Sequence, residues 1–356
     1  MDDDPIFEPD QGDAIIRTAA YHRRDFGLSV LGSSPSEDNR VRKWIADPFP
    51  SMILASLGML DRLPLELLWI IFLSFDVQSC FNFRQVNRGA RNLISNLPKY
   101  HAVARHGLQC LRAVLQTGIG RYLTIADLYH PLCMGTCAVC KKSFGGFLFL
   151  PTVTRCCFRC ITSSPCLRVV SLWALRTKSG VSVRRLRQIL PVVRTLPGTY
   201  TILRRPRVKR TEVVAEVRAM DLLDAMGFPA KTSDIYFNAG AAGYAYVWRF
   251  MVSTVLPRLD PRTGHVEQGV SCKGCQIVLE KPRWLWPDDV FDRRDRVYSR
   301  EGYLDHFPLC AEAIRLWRQS RGGTVAIREP EFTRRGGYLA SPDCCDRCNV
   351  LTRRIT

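Results

Sequence analysis

No apolar run in this 356-residue chain reaches the roughly 18 to 20 residues that a membrane span needs. The opening residues, MDDDPIFEPDQGD, are acidic where a secretory signal would be basic and then apolar. Both absences lead to the expectation of a soluble, intracellular protein of the cytoplasm or nucleus with no membrane partner. Catalytic patterns are missing too. No Gly-rich phosphate loop precedes a helix, no HExxH occurs, and neither a Ser-His-Asp ordering nor a pair of catalytic carboxylates is visible. The six histidines are scattered without such company, which argues against an enzyme. Beyond recurring cysteine pairs there is no internal repeat.

What is present is a hydrophobic fraction of 46%, ordinary for a folded chain, spread over a length that predicts two or three small cores. Fifteen cysteines would suggest disulfides in a short secreted protein. Without a secretory signal the thiols stay reduced, and several fall in C-x-x-C pairs, so metal ligation is the leading reading. The net charge of +18 is uneven: Lys and Arg minus Asp and Glu gives −4 over residues 1–60, +3 over 61–110, +16 over 111–215 and +3 thereafter. Such a concentration fits an acidic partner or nucleic acid and says nothing about fold.

Residues 1–58 read as a poorly ordered acidic leader, dispensable for folding, with one weak helix near Asp13 to Arg24. The pattern changes from Leu60. In LDRLPLELLWIIFLSF, Leu63, Leu67, Leu68, Ile71 and Phe72 recur at helical spacing, Pro64 stands in the first turn and Glu66 complements the helix dipole there. Asp76 caps a second helix that places Cys80, Phe83 and Val86 on one face, and RGARNLISNL gives a third with Ala90, Leu93, Ile94 and Leu97 inward. A fourth helix, HAVARHGLQCLRAVLQT, should stop at Gly118. Further on, the sequence predicts a cysteine-rich knuckle with a strand at GGFLFLPT, a basic helix stopped near Pro191, and mixed helix over 211–227. A hairpin follows, from RFMVSTVLPRL through the turn DPRTG to HVEQGVSC, and one helix covers Glu301 to Gln319. The expected units are 60–105, 107–230, 245–340 and a mobile tail at 341–356.

The stretch from Leu60 to Tyr100 resembles the F-box, through Leu63 and Pro64 opening the first helix, Glu66, Leu67 and Leu68 after them, Ile71 and Phe72 one turn on, Phe75 and Asp76 at the junction, and Val86, Asn87 and Arg88 before the last helix. Ala90 stands near a position where members often carry Trp, so the last helix would pack differently. The resemblance implies docking on the Skp-type adaptor of a cullin-RING ubiquitin ligase, with Leu63, Pro64, Leu67, Ile71 and Val86 as interface candidates. Three short helices cannot bury all of Leu63, Leu67, Ile71, Phe72 and Val86 among themselves, which leaves an apolar remainder for a partner helix. An ordinary helical hairpin of a core is the competing reading.

Cys137-x-x-Cys140 and Cys157-x-x-Cys160 have the spacing of a tetrahedral zinc held by two knuckles, although Cys156 could replace Cys157. Four thiolates complete a structural ion and leave no open position for Lewis-acid chemistry. A second set joins Cys272 and Cys275 to His306 and Cys310, four apart and so on one helical face. Its rival uses Cys345 and Cys348 of the tail in place of His306 and Cys310. The cysteine-rich part, the DHFPLC segment with the following AIRLW helix, and TRRGGYL look like those of filamentous-fungal F-box proteins with zinc-binding C-termini.

The sequence therefore predicts an α+β protein, mainly helical, with an N-terminal three-helix F-box followed by a zinc-stapled mixed region holding two structural zinc ions. It would act as a non-enzymatic substrate receptor that recruits a protein for ubiquitination. A second reading, a zinc-dependent nucleic-acid-binding protein carried by the basic segment 168–210, ranks below it. That segment is interleaved with Val, Leu and Pro and offers few aromatics, so a solvated helix face is its simpler explanation.

Overall fold

The computed structural model describes residues 11–32, 35–48, 55–200, 209–227 and 242–337. The first described helix, α1 (Gly12–Ala19), runs into a short strand, β1 (Ala20–Tyr21), and α2 (Pro35–Ile45) follows. These residues, expected as a leader, form elements packed against the rest of the chain. Ile15 and Ala19 are fully buried. The last carbonyls of a helix have no partner within it, and those of α2 are satisfied from the segment beyond Leu60. Arg84 donates to the Trp44 and Asp47 oxygens, Arg91 to Lys43 and Asp47, and the Tyr100 hydroxyl to Ile45 at 2.7 Å. Between the two helices, the buried Arg23 guanidinium pairs with Asp25 at 2.5 Å and Asp295 at 3.0 Å. Acidic composition alone hid these partners, which lie far along the chain.

Three helices then follow in close order: α3 (Leu65–Ser74), α4 (Val77–Arg84) and α5 (Arg88–Asn96). Each of the last two begins at a polar cap. Asp76 accepts from the Ser79 amide at 2.9 Å and Asn87 from the Ala90 amide at 2.8 Å. Val86 lies beyond the end of α4, so it does not share a face with Cys80; it is 69% exposed in the turn. The predicted fourth helix is two, α6 (Pro98–His106) and α7 (Leu108–Thr117), divided at Gly107. Gly118, at φ 75°, ends the second as the sequence predicts. Helix α8 (Ile125–Cys133) opens on a reciprocal cap between Thr124 and Asp127.

The cysteine-rich stretch forms β2 (Phe147–Phe149) and β3 (Thr154–Cys156), antiparallel with Phe147 opposite Cys156, and a short helix α9 (Phe158–Ser163). Next come β4 (Val169–Ser171), α10 (Leu172–Ser179), α11 (Val183–Ile189), β5 (Val193–Arg194), β6 (Glu212–Ala215) and α12 (Glu216–Ala225), with the sheet ordered β4-β6-β5. Helix α13 (Ala242–Met251) takes the residues read as the start of a hairpin strand, and β7 (Ser253–Val255) leaves it to pair with β2. Strand β7, from the stretch expected as a separate unit, completes the sheet of the first knuckle. The hairpin itself is β8 (Arg258–Leu259) with β9 (Val266–Glu267) around the Asp260 to Gly264 turn. Finally β10 (Ser271–Cys272) pairs with β1, placing Ala20 opposite Cys272, and leads into α14 (Lys273–Glu280), α15 (Val290–Arg294), α16 (Arg300–His306), α17 (Ala311–Gln319) and α18 (Glu331–Arg334). The single helix expected over Glu301 to Gln319 is broken between His306 and Cys310 by a tight turn containing Pro308, which cannot donate to the helical ladder.

The fold is α+β and mainly helical. Its largest core joins Leu68, Phe72 and Val77 of the three-helix segment to Leu111, Phe147, Leu148 and Phe250. A second core gathers Ile15, Ala19, Tyr303, Phe307 and Trp317, and a third lies under α10 to α12. Among the described residues, no helix is long and apolar enough to cross a membrane.

Candidate docking face and metal centres

Helix α3 is apolar nearly all round and divides its side chains between two surroundings. Leu68 and Phe72, one turn apart, enter the largest core. Leu67, Ile70 and Ile71 face outward, exposed by 47%, 64% and 37%. Leu65 and Pro64 are also exposed, while Leu63 is half-buried against the core. Of the five side chains expected at an interface, Pro64, Leu67 and Ile71 therefore share the outward side of one short segment, Leu63 sits at its edge, and Val86 stands in the turn after α4. Ile70 and Leu65 escaped the sequence reading. For Ile70 the signal was available, since it lies three residues from Leu67 on the same helical face.

Below this face the three helices are tied rather than merely packed. The Cys80 thiol, pushed up to about 12 by burial, donates to the Phe72 carbonyl at 3.3 Å. Burial lowers the Arg84 pKa, yet its three donor atoms all reach protein oxygens, Ser95 Oγ among them at 3.1 Å. Gly89 is close to the Ala55 carbonyl; a Cβ there would come within 2.1 Å of its oxygen, so α5 and the chain entering the helices meet backbone to backbone.

The first cysteine cluster brings together Cys137, Cys140, Cys157 and Cys160, with the four Sγ atoms all within 4.8 Å of one another. Cys137 to Cys160 is 3.7 Å and Cys140 to Cys157 is 3.9 Å. Metal–sulfur bonds of about 2.3 Å in tetrahedral array require sulfur separations of roughly 3.8 Å, whereas a disulfide would need about 2.05 Å. The donor set thus fits one four-coordinate ion. Local structure explains the choice among thiols. Cys157 precedes α9 and Cys160 lies in its first turn, three residues on and therefore on the same side, while Cys156 is a strand residue buried in the largest core. On the other arm, Lys141 adopts φ 58° after the pair, its amide donating to the Cys137 carbonyl at 3.0 Å, and the Cys140 amide points at Cys137 Sγ at 3.5 Å. Arg155, drawn down to about 10 by burial, clamps the knuckle from behind by donating to the Pro131, Leu256 and Pro257 carbonyls at 2.7 to 3.1 Å.

The second cluster holds Cys272, Cys275, His306 and Cys310, again within 4.8 Å of one another. Cys272 and Cys310 are 3.7 Å apart, Cys275 and Cys310 4.0 Å, and His306 Nε2 is 3.4 Å from Cys275 Sγ. These residues do not meet as one helical face. His306 ends α16 and Cys310 caps α17, so the break between them turns both toward the strand-to-helix pair of β10 and α14. Tyr298 stacks on the imidazole at 4.7 Å and fixes its plane. Gly274 is required by close approach: a Cβ would lie 2.4 Å from the Ala313 amide and 2.8 Å from Cys310 Sγ. Three thiols and an imidazole make another complete set for a four-coordinate ion. The rival ligands Cys345 and Cys348 fall outside the described residues. In both clusters the described cysteines are unlinked by disulfides.

Residues 60–102 match the F-box domain family model. No curated protein and no solved structure matches the chain.

Proposed function

We propose that the chain is a substrate receptor of a cullin-RING ubiquitin ligase, docking on the Skp-type adaptor through the outer side of α3 and recruiting a protein substrate through the region beyond residue 107. The observation that carries this reading is the coincidence of the F-box match at 60–102 with an outward apolar side of α3 that the fold leaves uncovered. Leu63, Pro64, Leu67, Ile71 and Val86, with Ile70 added from the structure, are the contact residues. Covering one such aliphatic side chain is worth about 1.5 to 3 kcal/mol. Ubiquitin transfer itself belongs, on this reading, to partner subunits.

Zinc is the ion both clusters suit, because thiolate-rich tetrahedral sets are its structural ligands. Cys137, Cys140, Cys157 and Cys160 would hold one ion and Cys272, Cys275, His306 and Cys310 the other. With all four positions filled by protein, each ion would supply cross-linking, not catalysis. Co-expression with a Skp-type adaptor tests the docking claim. Wild type should co-purify and a Leu67→Asp/Ile71→Asp variant should not; equal retention of the two would overturn it.

A further inference from the structure

Between Asp127 and Glu212 the sequence contains no Asp or Glu, and residues 169–200 with 209–215 fold into a unit of defined connectivity. It runs strand, helix, turn, helix, strand, strand: β4, α10, α11, β5, β6. The first strand lies beside the last, in the order β4-β6-β5, with antiparallel pairs Val170 to Val214 and Val193 to Val213. This is the connectivity of a winged helix-turn-helix. The turn between the helices is three residues, Gly180 to Ser182. Gly180 takes φ 71° to end α10, and the Ser182 hydroxyl accepts the Arg185 amide at 3.3 Å to start α11.

The sheet fixes which side is free. Val169, Val193, Val213 and Ala215 face the largest core, while Val170, Val192 and Val214 face Leu172, Leu175 and Leu186 of the helix pair. Strand alternation thus makes the sheet an inner layer and α10 with α11 the outer one. Helix α11 buries only Leu186 and exposes Arg184, Arg185, Arg187 and Gln188. Arg184 and Arg185 make no ion pair among the described residues, whereas Arg187 and Arg194 share Glu212 at 2.9 and 3.6 Å. A groove runs beside this helix, lined by Trp173, Val183, Arg194, Arg210 and Glu212. Trp173 is 69% exposed on its rim. An indole offers one flat apolar face and one N–H donor, the combination that a sugar-phosphate strand accepts.

We propose that this unit binds double-stranded DNA, with α11 at the major groove, Arg184 and Arg185 on the phosphates that flank it, and Trp173, Arg194 and Arg210 following the adjoining backbone. A solvated surface would account for scattered charge. It does not account for one sign of charge concentrated on the second helix of a helix-turn-helix, beside an exposed tryptophan. Duplex RNA is the poorer fit, because its major groove is too deep and narrow for a helix. The inference is independent of adaptor docking, which uses α3.

The test is fluorescence anisotropy of a labelled mixed-sequence DNA duplex titrated with the full chain at low and at higher salt. Wild type should bind at about 50 mM salt and lose at least about tenfold in affinity by 200 mM, as counterion release demands. Arg184→Gln/Arg185→Gln should lower the salt slope by about two and Arg184→Gln alone by about one. Trp173→Ala should weaken binding about two- to tenfold, the range of one net hydrogen bond lost from the backbone. All three positions are exposed, so metal content and adaptor capture should be unchanged and report that the variants are folded. Absence of wild-type binding at low salt, or unchanged binding by the double variant, would overturn the proposal. So would equal or tighter binding of duplex RNA or single strands, or displacement by polyglutamate as readily as by unlabelled duplex, the latter pointing to an acidic protein partner.

Discussion

The two cysteine clusters have nearly the same internal geometry and very different surroundings. Cys137 and Cys157 belong to the largest core, which also receives Leu68 and Phe72 from α3, so the first cluster and α3 stand on common ground. Cys272, Cys275 and Cys310 belong to a smaller core closed by Ile15 and Ala19 of α1. An ion held in each, as proposed, would cross-link different parts of the fold, and the two should fail in different ways. Loss of the first should loosen the support of α3, while loss of the second should release α1 and α17 and leave α3 in place.

The largest expected effect comes from Cys137→Ser. It should remove one of two metal equivalents and cost more than about 4 kcal/mol, the range reached when a structural metal is lost, with weaker adaptor binding as a result. Metal analysis and a denaturant titration check this; full adaptor binding at unchanged stability would erase the contrast between the clusters. Next in size is His306→Ala. It should also cost one equivalent, but with unfolding confined to the smaller core, visible as fast hydrogen exchange in α1 and protection retained in α4 and α5. Uniform loss of protection would show that the two cores are one cooperative unit.

Arg84→Ala should cost about 3 kcal/mol, since it removes a buried side chain that links Ser95 to the Trp44 and Asp47 carbonyls and leaves Ser95 and Trp44 without that donor, Asp47 keeping Arg91. The measurement is the midpoint of chemical unfolding, and a change below about 0.5 kcal/mol would mean that α2 is not held by Arg84. The smallest effect is assigned to Cys156→Ala, which should leave both metal equivalents bound and lower stability by about 1 kcal/mol through a small cavity. Loss of an equivalent there would return Cys156 to the ligand set in place of Cys157.

Local signals were the legible ones. The helical period of Leu63 to Phe72, the cap at Asp76 and the spacing of the cysteine pairs each act within a few residues, and each led to an element or cluster present in the fold. What escaped depends on distant partners. The acidic N-terminal residues look like a leader until Arg84, Arg91 and Asp295 are seen to complete them. The two-residue strand β1 has too little periodicity to be read, and β7 joins β2 across more than a hundred residues. The break between His306 and Cys310 was written in Pro308, but the expected ligand pair favoured one continuous helix. The helix-turn-helix connectivity was hidden for a similar reason, since its strands are short and their order is set only by tertiary pairing.

The most direct measurement is a calorimetric titration of a purified Skp-type adaptor into the wild-type chain and into a Leu67→Ala/Ile71→Ala variant carrying both metal equivalents. Docking through the outer side of α3 predicts one adaptor per wild-type chain and a loss of about 2 to 6 kcal/mol for the variant, as two buried anchors at 1 to 3 kcal/mol each would give. No heat with wild type, or equal affinity for the two proteins, would contradict it.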